Sequence, residues 1–489
     1  MNDISVRKQT ISGAIWKFCE RISGQIISFI VSVILARILL PDDYGLIALV
    51  FVFTTLCDKL VVCGFATSLI QKKKADEKDF SSVFYLSLCI AIILYALLFI
   101  GAPIIADFYD KFDRAQLISV IRVLGLGLFV MSFNSVQQAY VSKNMLFKRN
   151  FYSSLGGIIV SGIVGVIMAY KGYGVWALVA QNLIATLTST VILLLTVQWC
   201  PKLCFSQERL KGLFAYGWKI FLSSIIKMLY NDLRSLVIGK YFTPADLAYY
   251  NRGQTLPQLV DTNITGTIDS VLFPAYSKLQ DDKSAMIAAM RRAVKTSCYI
   301  LMPSLALMAA VSTPLVDILL TDKWLPCAPY MQILCFSFMF SPVETENLQS
   351  IKAIGRSDIV LKLEIVKRTI GVLLLIISVP FGLLAIASSM LLGNIIAAII
   401  NAFPNKKLIG YSLKDQIKDI LPSLLMSALV YLGVITVIAH MSVKESWIQF
   451  SVGVCLGLLL YVLVSFIFKV ESFFYMKNIL FCSKKYKSL

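Results

Sequence analysis

The chain has 489 residues, 58% of them hydrophobic, and a mean hydropathy of +0.77. A soluble domain of this length needs far less apolar surface, so the composition excludes a soluble enzyme and implies a protein embedded in lipid. The net charge of +18 would suit nucleic acid, but its placement excludes that reading: with the N-terminus inside, Lys and Arg concentrate in the cytoplasmic segments.

Apolar runs long enough to cross a hydrocarbon core of about 30 Å fall at 13–37, 44–66, 80–105, 115–140, 151–170, 174–199, 216–240, 245–272, 285–312, 328–351, 358–380, 382–403, 418–439 and 446–468. Spans 4, 8 and 10 in this order are the most polar. Fourteen is an even number, so both termini are expected in the cytoplasm, and Lys72–Lys74 and the KKYK run at Lys484–Lys487 read as topology determinants touching lipid headgroups. The first run is too long for a cleaved signal and is expected to act as its own targeting segment. The resulting fold class is an all-α integral membrane protein of about fourteen helices.

The connections are short, which leaves no room for a soluble catalytic domain, and no GxxxxGK[ST] phosphate loop occurs. Eleven cysteines are scattered, Cys200 and Cys204 have no histidine nearby, and the single histidine is His440. No metal and no resident cofactor is expected. Asp107, Asp110 and Asp113 read as a solvated outer loop. Gly156 and Gly157 read as a point of close helix approach.

An internal repeat is visible. Trp16-Lys17 opens span 1 and Leu40-Pro41-Asp42-Asp43-Tyr44 closes it; Trp218-Lys219 opens span 7 and Thr243-Pro244-Ala245-Asp246-Leu247 closes it. The Trp-to-Pro intervals are 25 and 26 residues, and Val33–Arg37 matches Leu236–Lys240 in character. Six spans separate the copies, so both halves share one orientation. Two six-helix lobes with a cavity between them follow, over 1–200 and 201–410, with spans 13 and 14 and a basic tail over 411–489 as an appendage.

Span 7 carries charges a lipid-facing helix would avoid. A cation at the bilayer centre costs about 2.5–3.5 kcal/mol on insertion scales. Lys227, Tyr230, Asn231 and Arg234 recur at helical spacing and share one face. In span 8, Asn251, Gln254, Gln258, Asp261 and Thr265 make a second stripe, with Arg252 beside its outer end and Pro257 freeing a backbone carbonyl. In span 1, Lys17, Arg21, Gly24, Gln25, Ser28 and Ser32 make a third. Two related helices thus point cations toward one volume suited to an anion such as a diphosphate, for which Arg offers paired donors and Lys a point charge. The bland alternative is snorkelling, expected for Lys17, Lys219 and Arg122, or pairing with carboxylates, expected where Glu364 neighbours Lys367 and Arg368. Among the acidic residues within spans, Asp261 is the first candidate to bind a coupling proton or sodium ion.

Five segments carry a resemblance. Leu35–Leu49 (LARILLPDDYGLIAL), Gly174–Leu183 (GVWALVAQNL), Leu247–Pro257 (LAYYNRGQTLP), Leu272–Asp282 (LFPAYSKLQDD) and Ile354–Ile365 (IGRSDIVLKLEI) resemble, in this order, the Wzx-type polysaccharide flippases of the multidrug/oligosaccharidyl-lipid/polysaccharide exporter superfamily, in the colanic-acid exporter-like subgroup. The resemblance runs to about residue 410. Gly253 stands where that subgroup suggests Ala. The resemblance implies twelve to fourteen helices, alternating access, no enzymatic activity, and a polyprenyl-diphosphate-linked oligosaccharide flipped to the periplasmic leaflet of the bacterial inner membrane for lipopolysaccharide, capsule or exopolysaccharide synthesis. Expected partners are that lipid-linked oligosaccharide, the bilayer, a proton or sodium ion, and the polysaccharide polymerase machinery. Arg21, Lys227, Arg234 and Arg252 would hold the diphosphate; Asn231, Asn251, Gln254 and Gln258 would meet sugars. The rivals are a cation-coupled drug antiporter of the same superfamily, which would want an acidic cavity, a membrane-embedded polymerase, which would want a larger outer loop, and a nonenzymatic assembly scaffold, which leaves the buried cations unexplained.

Overall fold

The computed structural model describes residues 3–72, 75–197, 199–280, 282–443 and 445–474; side chains at 3–11, 14, 211–220, 223, 227, 267, 269–271 and 273 lie outside that description. The described residues form helices α1 (Asp3–Ile38), α2 (Pro41–Val62), α3 (Phe65–Gln71), α4 (Glu77–Phe108), α5 (Arg114–Gly125), α6 (Gly127–Lys143), α7 (Phe147–Tyr170), α8 (Val175–Val197), α9 (Gln207–Tyr241), α10 (Pro244–Lys278), α11 (Lys283–Ala310), α12 (Ser312–Leu320), α13 (Ala328–Phe338), α14 (Ser341–Ala353), α15 (Ser357–Ser378), α16 (Leu383–Leu408), α17 (Leu413–His440) and α18 (Ser446–Ile467). Ten helical stretches among them are apolar and long enough to cross a membrane, and the protein is a multi-pass membrane protein. The other expected spans are helical too. They are α9, α10, α15 and the α13–α14 pair, whose apolar runs are interrupted by charges or by a break in the helix.

Spans 4 and 10, the fourth of each expected lobe, are both broken helices. The first divides at Leu126 between α5 and α6, and the second at Met339–Phe340 between α13 and α14. Their polar sequences reflect this: a broken helix exposes backbone groups that only protein or water can satisfy in a membrane.

The two Pro-x-Asp motifs are helix starts of one design. Pro41 and Pro244 occupy first helical positions, where a missing N–H costs nothing. The Asp43 carboxylate accepts from the Leu40 N–H at 3.2 Å, and the Asp246 carboxylate from the Thr243 N–H at 3.1 Å. Each aspartate thus satisfies an otherwise orphaned donor at its helix start. Asp43 also accepts from the Val175 backbone, which ties two of the five segments of the resemblance together.

Compactness divides the chain into Met1–Ala248 and Tyr249–Leu489. In the first unit α1 packs on α7, α7 on α8, α6 on α4 and α8, and α9 on α2, α3 and α4. In the second, α13 packs on α11 and α16, α14 on α11 and α16, α15 on α16, and α17 on α11 and α18. The order of span 3 on 4, 4 on 6 and 5 on 6 in the first unit therefore recurs as 9 on 10, 10 on 12 and 11 on 12 in the second. An amide-to-hydroxyl bond joins the same pair of spans in each unit, with the amide on the other partner: Asn134 Nδ2 of α6 donates to Thr190 Oγ1 of α8 at 2.9 Å, and Asn394 Nδ2 of α16 to Ser337 Oγ of α13 at 2.9 Å. The α7–α8 contact is close because Gly157 admits the Ala185 carbonyl 2.7 Å from where a Cβ would sit. The repeat pairs α9 with α1 and the sequence boundary near residue 200 follows it. In space, α9 lies against helices of the first unit.

The second unit holds a buried polar core. Asn347 Nδ2 donates to Gln416 Oε1 at 2.7 Å, Gln416 Nε2 returns a bond to Asn347 Oδ1 at 2.9 Å, and Asn405 Nδ2 donates to Asn347 Oδ1 at 2.6 Å. All three side chains are 0–1% exposed. They join α14, α16 and α17, so span 13 is fastened to spans 10 and 12 by amides. Tyr299 and Ser465 share a 2.7 Å hydroxyl bond that fastens span 14 to span 9.

Candidate functional site

On α1 the sequence stripe divides. Glu20 accepts from Asn150 Nδ2 of α7 at 2.9 and 3.1 Å, Lys17 stands 5.0 Å from the Phe147 ring, and Gly24 faces Ile158. Lys17 and Gly24 therefore look toward α7, and Arg21 lies on the exposed flank. The stripe as drawn from spacing mixes an interface edge with an open one, because its width exceeds the face a neighbouring helix leaves free.

On α9, Asn231 is exposed and Arg234 half-buried. The Arg234 Nε is closed off from solvent and has no hydrogen-bond partner among the described residues. A guanidinium donor enclosed without an acceptor loses its hydration and regains nothing, at a cost of a few kcal/mol. Such a donor makes Arg234 a candidate for contact with an anion. The Lys227 side chain lies outside the described residues, as do those of Lys219 and Asp269.

The two arginines stand at different distances along their helices. At 1.5 Å per residue, Arg21 is about 25 Å before the C-terminal end of α1 at Ile38, and Arg234 about 10 Å before that of α9 at Tyr241. On the alignment of the sequence repeat, which pairs those two ends, a single diphosphate is too small to meet both at once. Register explains it: aligning Trp16 with Trp218 places Arg21 opposite Ser223 and Arg234 near Ser32.

On α10, Asp261 and Thr265 are buried at 7% and 9% exposure, Asn251 and Gln254 are half-buried, and Gln258 is exposed. The hydroxyl of the stripe is used locally: Thr265 Oγ1 donates to the Asp261 carbonyl at 2.6 Å, as its neighbour Thr262 Oγ1 does to the Gln258 carbonyl at 2.8 Å. The side-chain amides of Gln254 and Gln258 are the polar groups of this stripe with length to reach outward. Arg252 stands 5.4 Å from the ring of Trp324, which is fully buried. Gly253 beside it lies against the next segment so closely that a Cβ would meet the Met331 amide nitrogen at 2.9 Å and the Cys327 carbonyl at 3.1 Å. The glycine that departs from the resemblance is thus what lets α10 lie against the start of α13.

Other charges resolve into pairs. Lys367 is 8% exposed and its amine meets Glu344 and Glu364 at 2.7 Å each, with Arg368 on Glu364 at 3.2 Å. Glu344 joins a pairing that sequence adjacency could suggest only for Glu364. In the acidic segment between α4 and α5, Asp107 pairs with Arg114, Asp110 with Lys240 at 3.1 Å, and Asp113 caps α5. Sequence reasoning counted Glu346 only among the acidic residues within spans that could bind a coupling ion, and missed its structural partners. Glu346 is 1% exposed and accepts from the Tyr276 hydroxyl at 2.7 Å and the Ser297 hydroxyl at 3.4 Å. Its signal was the Glu-x-Glu-Asn run at Glu344–Asn347, too polar for a lipid-facing turn.

These features meet known proteins at several points. Residues 34–329 match the model of a family described as polysaccharide biosynthesis protein. The lipopolysaccharide biosynthesis protein WzxC of Escherichia coli (strain K12) is 24% identical over 442 residues, 87% of this chain and 88% of that protein. The succinoglycan biosynthesis transport protein ExoT of Rhizobium meliloti (strain 1021) is 22% identical over 400 residues, 81% of this chain and 78% of that one. Among solved structures, the lipid II flippase MurJ in an inward closed conformation superposes with a TM-score of 0.72 at 17% identity, over 94% of this chain and 98% of that one. At that identity the likeness speaks for the fold. The family match spans more than half of the chain, and the protein belongs to the polysaccharide biosynthesis protein family to which its five sequence segments pointed.

Proposed function

We propose that this protein flips polyprenyl-diphosphate-linked oligosaccharide units from the cytoplasmic to the periplasmic leaflet of a bacterial inner membrane, with both of its termini in the cytoplasm. The observation that carries the proposal is the Arg234 Nε, enclosed within a membrane helix and lacking an acceptor among the described residues. A phosphate oxygen supplies that acceptor, and with it a countercharge for the half-buried guanidinium.

The difference in depth makes the arginines successive contacts. Arg21, in the cytoplasmic half of α1, meets the diphosphate first; Arg234, in the outer half of α9, meets it later. Lys227, on the Arg234 face about 10 Å deeper along the helix, fills the interval. Arg252 stands by the exit at the outer end of α10. Asn231, Asn251, Gln254 and Gln258 meet the sugars by hydrogen bonding, and the polyprenyl tail stays in lipid. Asp261 takes up the proton or sodium ion that couples the cycle, and the product passes to the polysaccharide polymerase machinery. The fold shared with a lipid II flippase and a relative named as a succinoglycan transport protein support this reading.

Expression of this chain in a cell lacking its own flippase tests the proposal. Restored surface polymer, with depletion of lipid-linked units from the cytoplasmic leaflet, is the expected result. Unchanged accumulation of those units across several donor glycans would sink it.

A further inference from the structure

The second unit contains a cavity of about 700 Å³ where α17 and α18 meet α11 at their cytoplasmic ends. It shares no residue with the polar stripes of α1, α9 and α10. Its depth is apolar: Leu425, Leu429 and Leu432 line it from one face of α17, and Phe468 from the end of α18. These four side chains are 49–69% exposed. Its mouth is charged, with Lys418 from α17 and Lys469 just past α18.

The charges at the mouth do not balance. Asp419 is held by Arg291 through two bonds of 2.8 and 2.9 Å and by the Tyr411 hydroxyl at 2.8 Å, with Lys295 at 3.6 Å. Glu471 is held by Lys295 at 2.7 Å. The acids of the wall are thus already matched by Arg291 and Lys295. Lys418 and Lys469 line the cavity and make no ion pair among the described residues; Lys418 acts on the Asp415 carboxyl by charge alone, so four cations face three carboxylates and the mouth keeps one net positive charge.

We infer that this cavity is a binding site for an anionic glycerophospholipid of the cytoplasmic leaflet, its phosphate at Lys418 and Lys469 and an acyl chain along Leu425–Leu432. Length agrees: from Lys418 to Leu432 the helix rises about 20 Å, enough to run through one leaflet's hydrocarbon, about 15 Å deep. Charge agrees as well, since basic pockets between membrane helices at the cytoplasmic side select anionic headgroups. A bound lipid would cover the seam between α17, α18 and α11, and so bears on how spans 13 and 14 stay joined to the unit.

The test uses the full chain, purified and stripped of lipid, with phosphatidylglycerol and phosphatidylcholine of matched acyl chains as probes. Native mass spectrometry counts bound lipid and thermal melting reads stabilisation. Phosphatidylglycerol is expected to bind and raise the melting temperature, and phosphatidylcholine to do so far less. Lys418→Gln with Lys469→Gln should weaken phosphatidylglycerol binding about thirtyfold, from two lysines acting on one headgroup. Ala428→Trp, which fills the cavity, should abolish binding whatever the headgroup. Equal binding of both lipids, or unchanged affinity in the lysine double variant, overturns the proposal. So does displacement of phosphatidylglycerol by an equimolar polyprenyl diphosphate, which would make the cavity part of the substrate path.

Discussion

Gly45 and Pro244 stand backbone against backbone, and a Cβ on Gly45 would lie 1.8 Å from the Pro244 carbonyl oxygen. Gly45 is in the first turn of α2 and Pro244 opens α10, so the two copies of the corner motif rest on each other. Elsewhere in a helix Gly→Ala stabilises by up to about 1 kcal/mol. Here the obstacle is backbone, which cannot swing aside. Gly45→Ala is expected to destabilise by about 1–3 kcal/mol, the usual cost of overpacking, seen as a lower melting temperature in detergent. An unchanged or raised melting temperature would show that the corners do not touch.

The Asn347–Gln416 pair gives a second expectation. Asn347→Ala leaves both ends of the Gln416 amide buried and unpaired, while Asn405 Nδ2 keeps its 3.2 Å bond to the residue 347 carbonyl; each group stranded costs about 1–3 kcal/mol. Gln416→Ala strands part of the same network. The double variant should therefore lose less than the sum of the single losses, a coupling that thermal melts of all four proteins would measure. Strict additivity would mean that span 13 is held by packing alone.

Asp110 gives a pH dependence. The hydrogen bond from Lys240, and then its charge, hold the Asp110 carboxyl below its ordinary value of 3.8. A depressed carboxyl stabilises the folded protein above the unfolded value, and the contribution is lost as pH falls through the folded value. The carboxylate is in solvent, so the effect is small. Asp110→Asn should melt slightly earlier than the native chain at neutral pH, and the two should converge in acid well below pH 3.8. A constant offset across the titration would assign the loss to packing.

The separation in depth makes Arg21 and Arg234 distinguishable in kinetics. Arg21→Ala should raise the substrate concentration needed for half-maximal transport, as loss of an entry contact does. Arg234→Ala should lower the maximal rate by about ten- to a hundredfold, the worth of a charged hydrogen bond of about 1.5–3 kcal/mol. Identical effects of both variants would place them at one step.

The membrane spans were legible because a hydrocarbon core demands a long apolar run, and even the breaks at Leu126 and Met339 left a trace as spans too polar to stand unbroken. The repeat was legible through Pro41 and Pro244 because one capping geometry selects Pro at the start and Asp three residues into each motif. The facing of Lys17 and Gly24 toward α7 was not, since spacing defines a helix face but not which neighbour covers it. Nor was the pairing of Asn347 with Gln416, as an amide in a span signals a partner without naming it. The unequal depth of Arg21 and Arg234 was available from the Trp16–Trp218 register and needed only the helical rise to be read.

Transport by the purified protein in liposomes is the most direct test. A labelled polyprenyl-diphosphate oligosaccharide is placed in both leaflets, and the label exposed at the outer surface is quenched at intervals. With the native chain and an ion gradient, the protected fraction should fall with time. With Arg234→Ala, incorporated to the same density, it should fall ten- to a hundredfold more slowly (about 1.5–3 kcal/mol), and Arg234→Lys should recover part of the rate. Equal rates for the native chain and Arg234→Ala would contradict passage of the diphosphate by the Arg234 guanidinium.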